Sequence, residues 1–350
     1  MTSTPDHSCR QNWHKVIVVG AGIENESELI QTYLAPLASK VPGAFGLTDD
    51  AALLSIEPGT DLVVTNDPVI AGVHFFASDK PENIAWKALA VNVSDLAAKG
   101  ADPRAYLLAL AFPGPPERDW MAAFAQGLGA AQQAFGCHLI GGDTDHTPGP
   151  LSIGVTAIGT VPKGAFVQRR GAKAGDHVFV TGTIGDAALG LAIRRDPRLF
   201  DHILSDADKN LLVDRYLRPQ PRLGLVEALR KHASAALDIS DGLLKDLARL
   251  SGPLGLELKL EALPLSAPAR AALASDGRVA NLILGGGDDY ELLVAVAPDQ
   301  MAAFVRSAGR LSVSDIGVLQ TGVPITVIGR DGVRLEPDRA GYDHFHDRSG

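Results

Sequence analysis

The chain of 350 residues has only two cysteines, Cys9 and Cys137. Cys9 falls in a polar N-terminal stretch, so no structural disulfide is expected and a reducing compartment fits. No Cys/His spacing offers a zinc site. Basic residues are in deficit: 32 Lys and Arg against 41 Asp and Glu give a net charge of −9. Such a chain has no cationic excess to neutralise a nucleic-acid backbone. No apolar run reaches the roughly 18–20 residues of a membrane span. Residues 16–19 are too short for the apolar region of about 7–15 residues in a secretory signal. A cytoplasmic protein with neither nucleic acid nor membrane as partner is therefore expected. The hydrophobic share of 46% can build a sizeable core, and the length favours two domains.

Common nucleotide-binding signatures are missing too. The chain contains no G-x-x-x-x-G-K-[ST] loop and no protein-kinase signature set. Val18-Val19-Gly20-Ala21-Gly22 imitates the start of a dinucleotide fingerprint, but position 25 is Asn and no long helical pattern opens directly after it.

What the chain does have is a series of aspartates, each in a short motif bearing glycine, serine or threonine. They are Thr48-Asp49-Asp50-Ala51, Thr65-Asn66-Asp67, Asn92-Val93-Ser94-Asp95, Gly141-Gly142-Asp143-Thr144, Asp238-Ile239-Ser240-Asp241-Gly242 and Gly285-Gly286-Gly287-Asp288-Asp289-Tyr290-Glu291. Hard oxygen donors in such numbers suit Mg²⁺, which prefers octahedral oxygen and usually brings phosphates with it. Each motif also has a plain structural reading. Ser240 and Asp241 could simply cap a helix, contributing around 1 kcal/mol. Gly141-Gly142 could be a tight turn, the 285–287 glycines a surface loop, and His74 a structural histidine. The constellation, more than any one motif, favours a polyphosphate site.

Periodicity places these motifs on elements. A helix is expected near 26–37, and a short strand at 62–65 that ends at Asp67. A helix over 82–99 carries Trp86, Leu89, Val93, Leu96 and Ala97 as its apolar stripe, with Asn92, Asp95 and Lys99 on an opposite polar face. Strands are expected at 104–111, at 138–140 leading into Gly141-Gly142-Asp143, and at 151–161, with a helix at 118–135. Pro162-Lys163-Gly164 is the best boundary, giving an extension over 1–24, a first domain over 25–161 and a second over 162–350. In the second, 177–181 and 235–239 read as strands, 187–194 and 242–250 as helices, with Ser240 as N-cap. Apolar strands at 282–284 and 291–296 are expected to flank the last glycine turn. Alternating strands and helices in both halves imply an α/β or α+β fold.

With these residues assembled, the chain resembles the thiamine-monophosphate kinase family. That family belongs to the superfamily of aminoimidazole ribonucleotide synthetase, selenophosphate synthetase and the maturation factor of nickel-iron hydrogenases. The likeness runs through Asp49-Asp50-Ala51, residues 67–75, residues 87–103, Gly141–Thr144, Arg169, residues 171–176, 180–183 and 217–219, residues 238–243, 286–292 and 341–345. The resemblance implies a two-domain α/β (α+β) chain whose N-terminal domains pair in a homodimer through strands that complete a β-barrel. ATP and thiamine phosphate are implied to meet in a cleft between domains, giving ADP and thiamine diphosphate. Carried over by motif, Asp50, Thr65, Asn66, Asp67, Asp95, Asp143, Asp238 and Asp241 correspond to the magnesium shell, with Asp67, Asp95 and Asp241 at the chemistry. Gly142, Asp143, Arg169 and Ser240 correspond to the nucleotide side, and His74, Asp288 and Tyr342 to the thiamine-phosphate side. Three positions depart from the family: Thr48 stands where Gly is common, Asn66 where a hydroxyl is common, and Asp288 where Glu is usual. A sister ATP-dependent activity, a magnesium-dependent phosphatase and a non-catalytic nucleotide-binding regulator remain alternatives. The absence of cysteine from residues 341–350 counts against the hydrogenase factor.

Overall fold

A computed structural model of the chain describes residues 22–329, 331–338 and 340–343. Cys9, most of the expected extension and the family-like His344-Phe345 lie outside the described residues. The described residues form eleven strands: β1 Thr60–Ile70, β2 Asp102–Phe112, β3 His138–His146, β4 Ser152–Pro162, β5 His177–Thr181, β6 Ala233–Asp238, β7 Glu257–Lys259, β8 Leu292–Val296, β9 Val313–Val318, β10 Thr326–Ile328 and β11 Arg334–Leu335. The α-helices are α1 Glu26–Leu29, α2 Ala35–Ala38, α3 Pro81–Ala98, α4 Arg118–Phe135, α5 Asp186–Arg195, α6 Asp206–Leu217, α7 Val226–His232, α8 Leu243–Ser251, α9 Ala267–Ser275, α10 Val279–Gly285 and α11 Met301–Ser307. A π-helical turn joins α1 to α2, so the helix expected near 26–37 is there in three pieces.

The first domain is a four-stranded sheet in the order β1-β4-β2-β3. β1 and β2 run antiparallel to β4, and β3 runs parallel to β2. Helices α3 and α4 pack on it around Phe124, Leu128, Leu89 and Val155. The second domain holds the sheet β6-β8-β5-β9, antiparallel throughout, and the small sheet β11-β10-β7. Its core gathers Leu237, Ile239, Leu243, Leu247 and Leu293. Largely antiparallel pairing makes the architecture α+β.

Several expected boundaries shift, each for a physical reason. β1 runs on past Asp67 to Ile70, because β4 offers it partners along its whole length, down to Ser152. Pro68 is tolerated since β1 is an edge strand. Gly141-Gly142-Asp143 lies inside β3, which was expected to stop at residue 140. A Cβ on Gly142 would sit 1.8 Å from the Leu108 carbonyl oxygen, and its φ is 153°; the close approach of β2 requires glycine there. Residues 282–284 belong to α10; a short apolar run alone does not distinguish helix from strand. α8 starts after Gly242, which replaces Ser240 as N-cap. The Asp246 carboxylate explains why: its Oδ2 accepts N–H bonds from Ser240, Asp241 and Gly242 at 3.0, 3.0 and 3.2 Å.

The largest departure concerns α3. It is not amphipathic at the surface; residues 84–94 are all buried, Lys87, Asn92 and Ser94 included. Its expected polar face is turned to protein: Asn92 and Asp95 bond β1, Lys99 bonds the second domain, and Trp86 and Ser94 reach that domain too. Trp86 Nε1 donates to Pro219 O at 2.8 Å, Ser94 Oγ to Asp238 Oδ2 at 2.7 Å, and Lys99 Nζ to Ala236 O at 2.7 Å. The polar residues there bond across a domain boundary instead of facing water. The first sheet is open, with β1 and β3 at its edges, and the described residues of one chain close no barrel.

Candidate active site

The site is built where the inner helix α3, the β1 strand and two turns of the second domain converge. Asn92 is fully buried and grips β1. Its Oδ1 accepts the Asp67 N–H at 2.8 Å, and its Nδ2 donates to Asp67 O at 3.0 Å and Ala88 O at 3.1 Å. One carboxamide thus meets both backbone groups of Asp67, as a neighbouring strand would. One turn on, Asp95 Oδ2 accepts the Thr65 hydroxyl at 2.6 Å. Thr65 and Asp67 lie two residues apart on β1, hence on one face, and that face looks onto α3. Asn66 points the other way: its Nδ2 bonds Val155 O at 3.0 Å and Thr156 Oγ1 at 2.8 Å, tying it to β4.

The second domain brings Asp238 to the end of β6, where it is buried and held by Ser94. Burial pushes its carboxyl well above the usual range, and the nearby Asp95 carboxylate pushes further, while the Ser94 hydrogen bond opposes both. Lys99 faces the same pair: burial lowers its ammonium, and Asp238 and Asp95 raise it, with Arg169 close enough to oppose them. The glycine turn leans on the Asp238 motif. Asp288 N–H donates to Ser240 O and Tyr290 N–H to Ile239 O, both at 2.9 Å. A Cβ on Gly287 would come within 2.5 Å of Ser240 O, and Gly287 has φ 74°. The glycine run is therefore a fitted turn and not a loose loop. Burial raises the Tyr290 hydroxyl well above its ordinary range; next in order come Asp288, Asp238, Asp67 and Asp95. Carboxylates of both domains thus oppose ionisation of this buried phenol.

Of the remaining predicted residues, Ser240, Asp241 and Asp288 belong to the turns at this centre, whereas Gly142 and Asp143 lie on β3, at the opposite edge of the sheet from β1. Asp241 pairs with Lys245 at 3.0 Å and Arg249 at 2.7 Å, and its carbonyl accepts Tyr342 N–H at 2.8 Å. His74 Nδ1 accepts the Ile70 N–H at 3.0 Å. Asp288 pairs with Lys87 at 3.3 Å. Asp50, Asp143 and Arg169 are exposed, Asp143 accepting its neighbour Thr144 N–H at 2.9 Å. Sequence reasoning missed Lys87, Ser94 and Asp246 as parts of the site. The signal lay in polar residues set among the apolar positions of α3, and in an Asp four residues beyond the Gly242 turn.

These donors have the chemistry for magnesium. Thr65, Asp67, Asp95 and Asp238 are all hard oxygens, and two crowded carboxylates, Asp95 and Asp238, gain from a divalent cation. Among the described residues no three His, Cys, Asp or Glu side chains converge as a ready-made metal cage. That agrees with the habit of Mg²⁺, which takes one or two carboxylates and fills its octahedron with water and phosphate oxygens.

Comparison with known proteins decides the family. Residues 48–161 match the model for the AIR synthase related protein, N-terminal domain, and residues 173–329 that for its C-terminal domain. A thiamine-monophosphate kinase of Caulobacter vibrioides is 41% identical over 330 residues, covering 91% of this chain and 90% of the relative. The chain belongs to the thiamine-monophosphate kinase family. Its fold agrees with the family's solved structures. The crystal structure of thiamine-monophosphate kinase from Stenotrophomonas maltophilia K279a superposes with a TM-score of 0.73 at 40% identity, covering 83% of this chain and 91% of that one. The structure of AaThiL complexed with AMPPCP and TMP superposes with a TM-score of 0.70 at 32% identity, over 87% of this chain and 98% of that one. The family's two-domain frame thus extends over nearly all of the described chain.

Proposed function

We infer that this protein is an ATP-dependent thiamine-monophosphate kinase, transferring the γ-phosphoryl group of ATP to thiamine phosphate in the last step of thiamine diphosphate biosynthesis. The observation that carries the reading is the joint at which α3 of one domain bonds Thr65 on β1 through Asp95 and Asp238 of the other domain through Ser94, in a chain whose relatives carry that name. A solved relative holding AMPPCP and TMP together supports a cleft for both substrates.

The acceptor is a phosphate oxygen whose second pKa lies near 6, so at neutral pH it is already mostly ionised. No strong general base is required, and none of the usual Ser/His/Asp or Cys/His pairs is needed. The chain's task is to bring two polyanions together in line and to stabilise spreading charge. Thr65, Asp67, Asp95 and Asp238, with Asp50, Asp143 and Asp241 completing the proposed set, would hold magnesium; the Asn66 side chain, tied to β4, stands apart from them. When bound, magnesium would supply charge neutralisation for the phosphate groups. Arg169, Gly142 and Ser240 take the nucleotide phosphates; His74, Asp288 and Tyr342 take thiamine phosphate. Lys99 and the Lys245–Arg249 pair set fixed positive charge beside Asp238 and Asp241.

We place the division between domains near 161–162. A homodimer fits the open sheet, whose outer face leaves Leu62, Val64 and Leu107 exposed at 49, 60 and 38%; a second copy could cover it and complete a barrel. A cytoplasmic location fits the absence, among the described residues, of any helix long and apolar enough to cross a membrane.

The reading is tested with ATP labelled in the γ-phosphate. Label is expected in thiamine diphosphate and not on the protein. An acid-stable or hydroxylamine-labile phosphoenzyme that chases into product would refute direct transfer. Label released only as inorganic phosphate would move the assignment to a phosphatase or a sister activity.

A further inference from the structure

Four side chains alternate between the domains in one stack at the edge of the site. The Arg194 guanidinium of α5 lies 5.0 Å from the Phe76 ring centroid. Phe76, in the loop after β1, meets Tyr216 of α6 edge-on, with centroids 6.4 Å apart and planes at 68°. Lys87 of α3 places Nζ 3.7 Å from the Tyr216 centroid. From there Lys87 Nζ donates to His74 O at 3.0 Å and to Asp288 Oδ2 at 3.3 Å. The Tyr216 hydroxyl donates to the same His74 carbonyl at 3.2 Å. Arg194 also pairs with the buried Asp79, which closes the far end of the stack.

Lys87 is 2% exposed. Burying an ammonium is costly unless it is paired and hydrogen-bonded. Here it has one carboxylate, one carbonyl and one aromatic face, and an ammonium has three protons to give. Two go to His74 O and Asp288, and the third side is covered by the ring. No proton is left over for a substrate. Asp288 itself sits at φ 63°, in the left-handed region that non-glycine residues enter at some cost. The backbone is held there by the Asp288 N–H bond to Ser240 O at 2.9 Å, and Lys87 pairs with the carboxylate it presents.

We propose that Lys87 is a positioning residue for the phosphate acceptor: together with Tyr216 it locks the His74 loop of one domain to the Asp288 turn of the other, setting the acceptor side of the cleft. The proposal rests on the reading of His74 and Asp288 as the thiamine-phosphate side.

The test compares wild type with Lys87→Met, Tyr216→Phe, Asp288→Asn and the double variant Lys87→Met/Asp288→Asn, with KM for both substrates and kcat measured separately. Lys87→Met keeps the length and packing of the stem but removes the charge. It is expected to raise KM for thiamine phosphate about tenfold or more while KM for ATP changes less than about twofold. Tyr216→Phe keeps the ring and loses one bond to His74; a rise of roughly threefold is expected. Because Lys87 acts through Asp288, the double variant should be little worse than the worse single one. Equal shifts in both KM values, a fall in kcat at unchanged KM, or additive effects of the two sites would overturn the proposal. If Lys87→Met does not fold, Tyr216→Phe decides by the same split. Wild type that fails to turn over thiamine phosphate would sink the functional reading and this proposal together; an active wild type with unmoved variants would sink the proposal alone.

Discussion

Asn92→Ala perturbs the joint between α3 and β1 with little else changed. Asn92 makes three hydrogen bonds, two of them to the backbone of Asp67. The Ala88 carbonyl lies within α3, so its loss matters least. The two bonds to Asp67 contribute about 1 kcal/mol each net. Because Asp67 is exposed, water can take over part of their role. Truncating a fully buried side chain adds a cavity cost, so the sum is about 2–3 kcal/mol. For a domain of this size that corresponds to roughly 4–10 °C in Tm. Activity should fall further than stability explains, because Asp67 loses its anchor, and a displacement of about 1 Å can cost 10²-fold in rate. Asn92→Asp is the sharper variant. It keeps the shape and can still accept from Asp67 N–H, but it cannot donate to Asp67 O, and it adds a buried charge beside Asp67 and Asp95. It should be at least as destabilising as Asn92→Ala. Thermal unfolding followed by circular dichroism, with steady-state turnover below the transition, reads both. A Tm within about 1 °C of wild type for both variants, with turnover intact, would show that Asn92 does not hold the site.

Four further outcomes follow from the same geometry. Glu291→Ala leaves Arg215, Arg222 and the Thr181 hydroxyl facing a fully buried gap; a loss of about 3–5 kcal/mol is expected in urea denaturation. Gly142→Ala forces a methyl into the Leu108 carbonyl, and should yield little soluble protein or a Tm drop of about 10 °C or more; normal yield and Tm would contradict the packing of β2 on β3. Burial pushes the Cys137 thiol up to about 12, so iodoacetamide at pH 8 should not label it in native protein but should do so in guanidinium; native labelling would contradict its burial. Chelation should stop ADP formation, and added Mg²⁺ should restore it without refolding, because Thr65, Asp67, Asp95 and Asp238 are already held by protein partners; loss of circular dichroism on chelation would argue that the metal organises the fold.

Much of this was legible in the sequence because backbone chemistry is local. The α4 helix, β5 and the region of β4 follow from periodicity and turn residues, and the aspartate motifs mark Asp67, Asp95 and Asp238 of the candidate site. What was not legible came from tertiary partners. Asn92 and Lys99 look like the solvent face of α3 until β1 is set against the first and the second domain against the other. Asp67 appears to end a strand until β4 extends the ladder past Pro68. Gly141-Gly142 reads as a turn until β2 approaches closely enough to require glycine within a strand. The carboxylate of Asp246 takes the N–H groups that sequence logic assigned to an N-cap, since one buried oxygen can satisfy three donors. In each case the local pattern was real, and a longer-range contact decided its meaning.

The central claim is that phosphoryl transfer is directed to thiamine phosphate by this two-domain site. The most direct measurement is ADP and thiamine diphosphate quantified together in one reaction with ATP, Mg²⁺ and purified protein, with and without thiamine phosphate. The account predicts ADP formation that depends on the acceptor, one thiamine diphosphate per ADP, and loss of both in Asp67→Asn and Asp241→Asn. ADP formed without thiamine diphosphate, or undiminished turnover in those two variants, would contradict it.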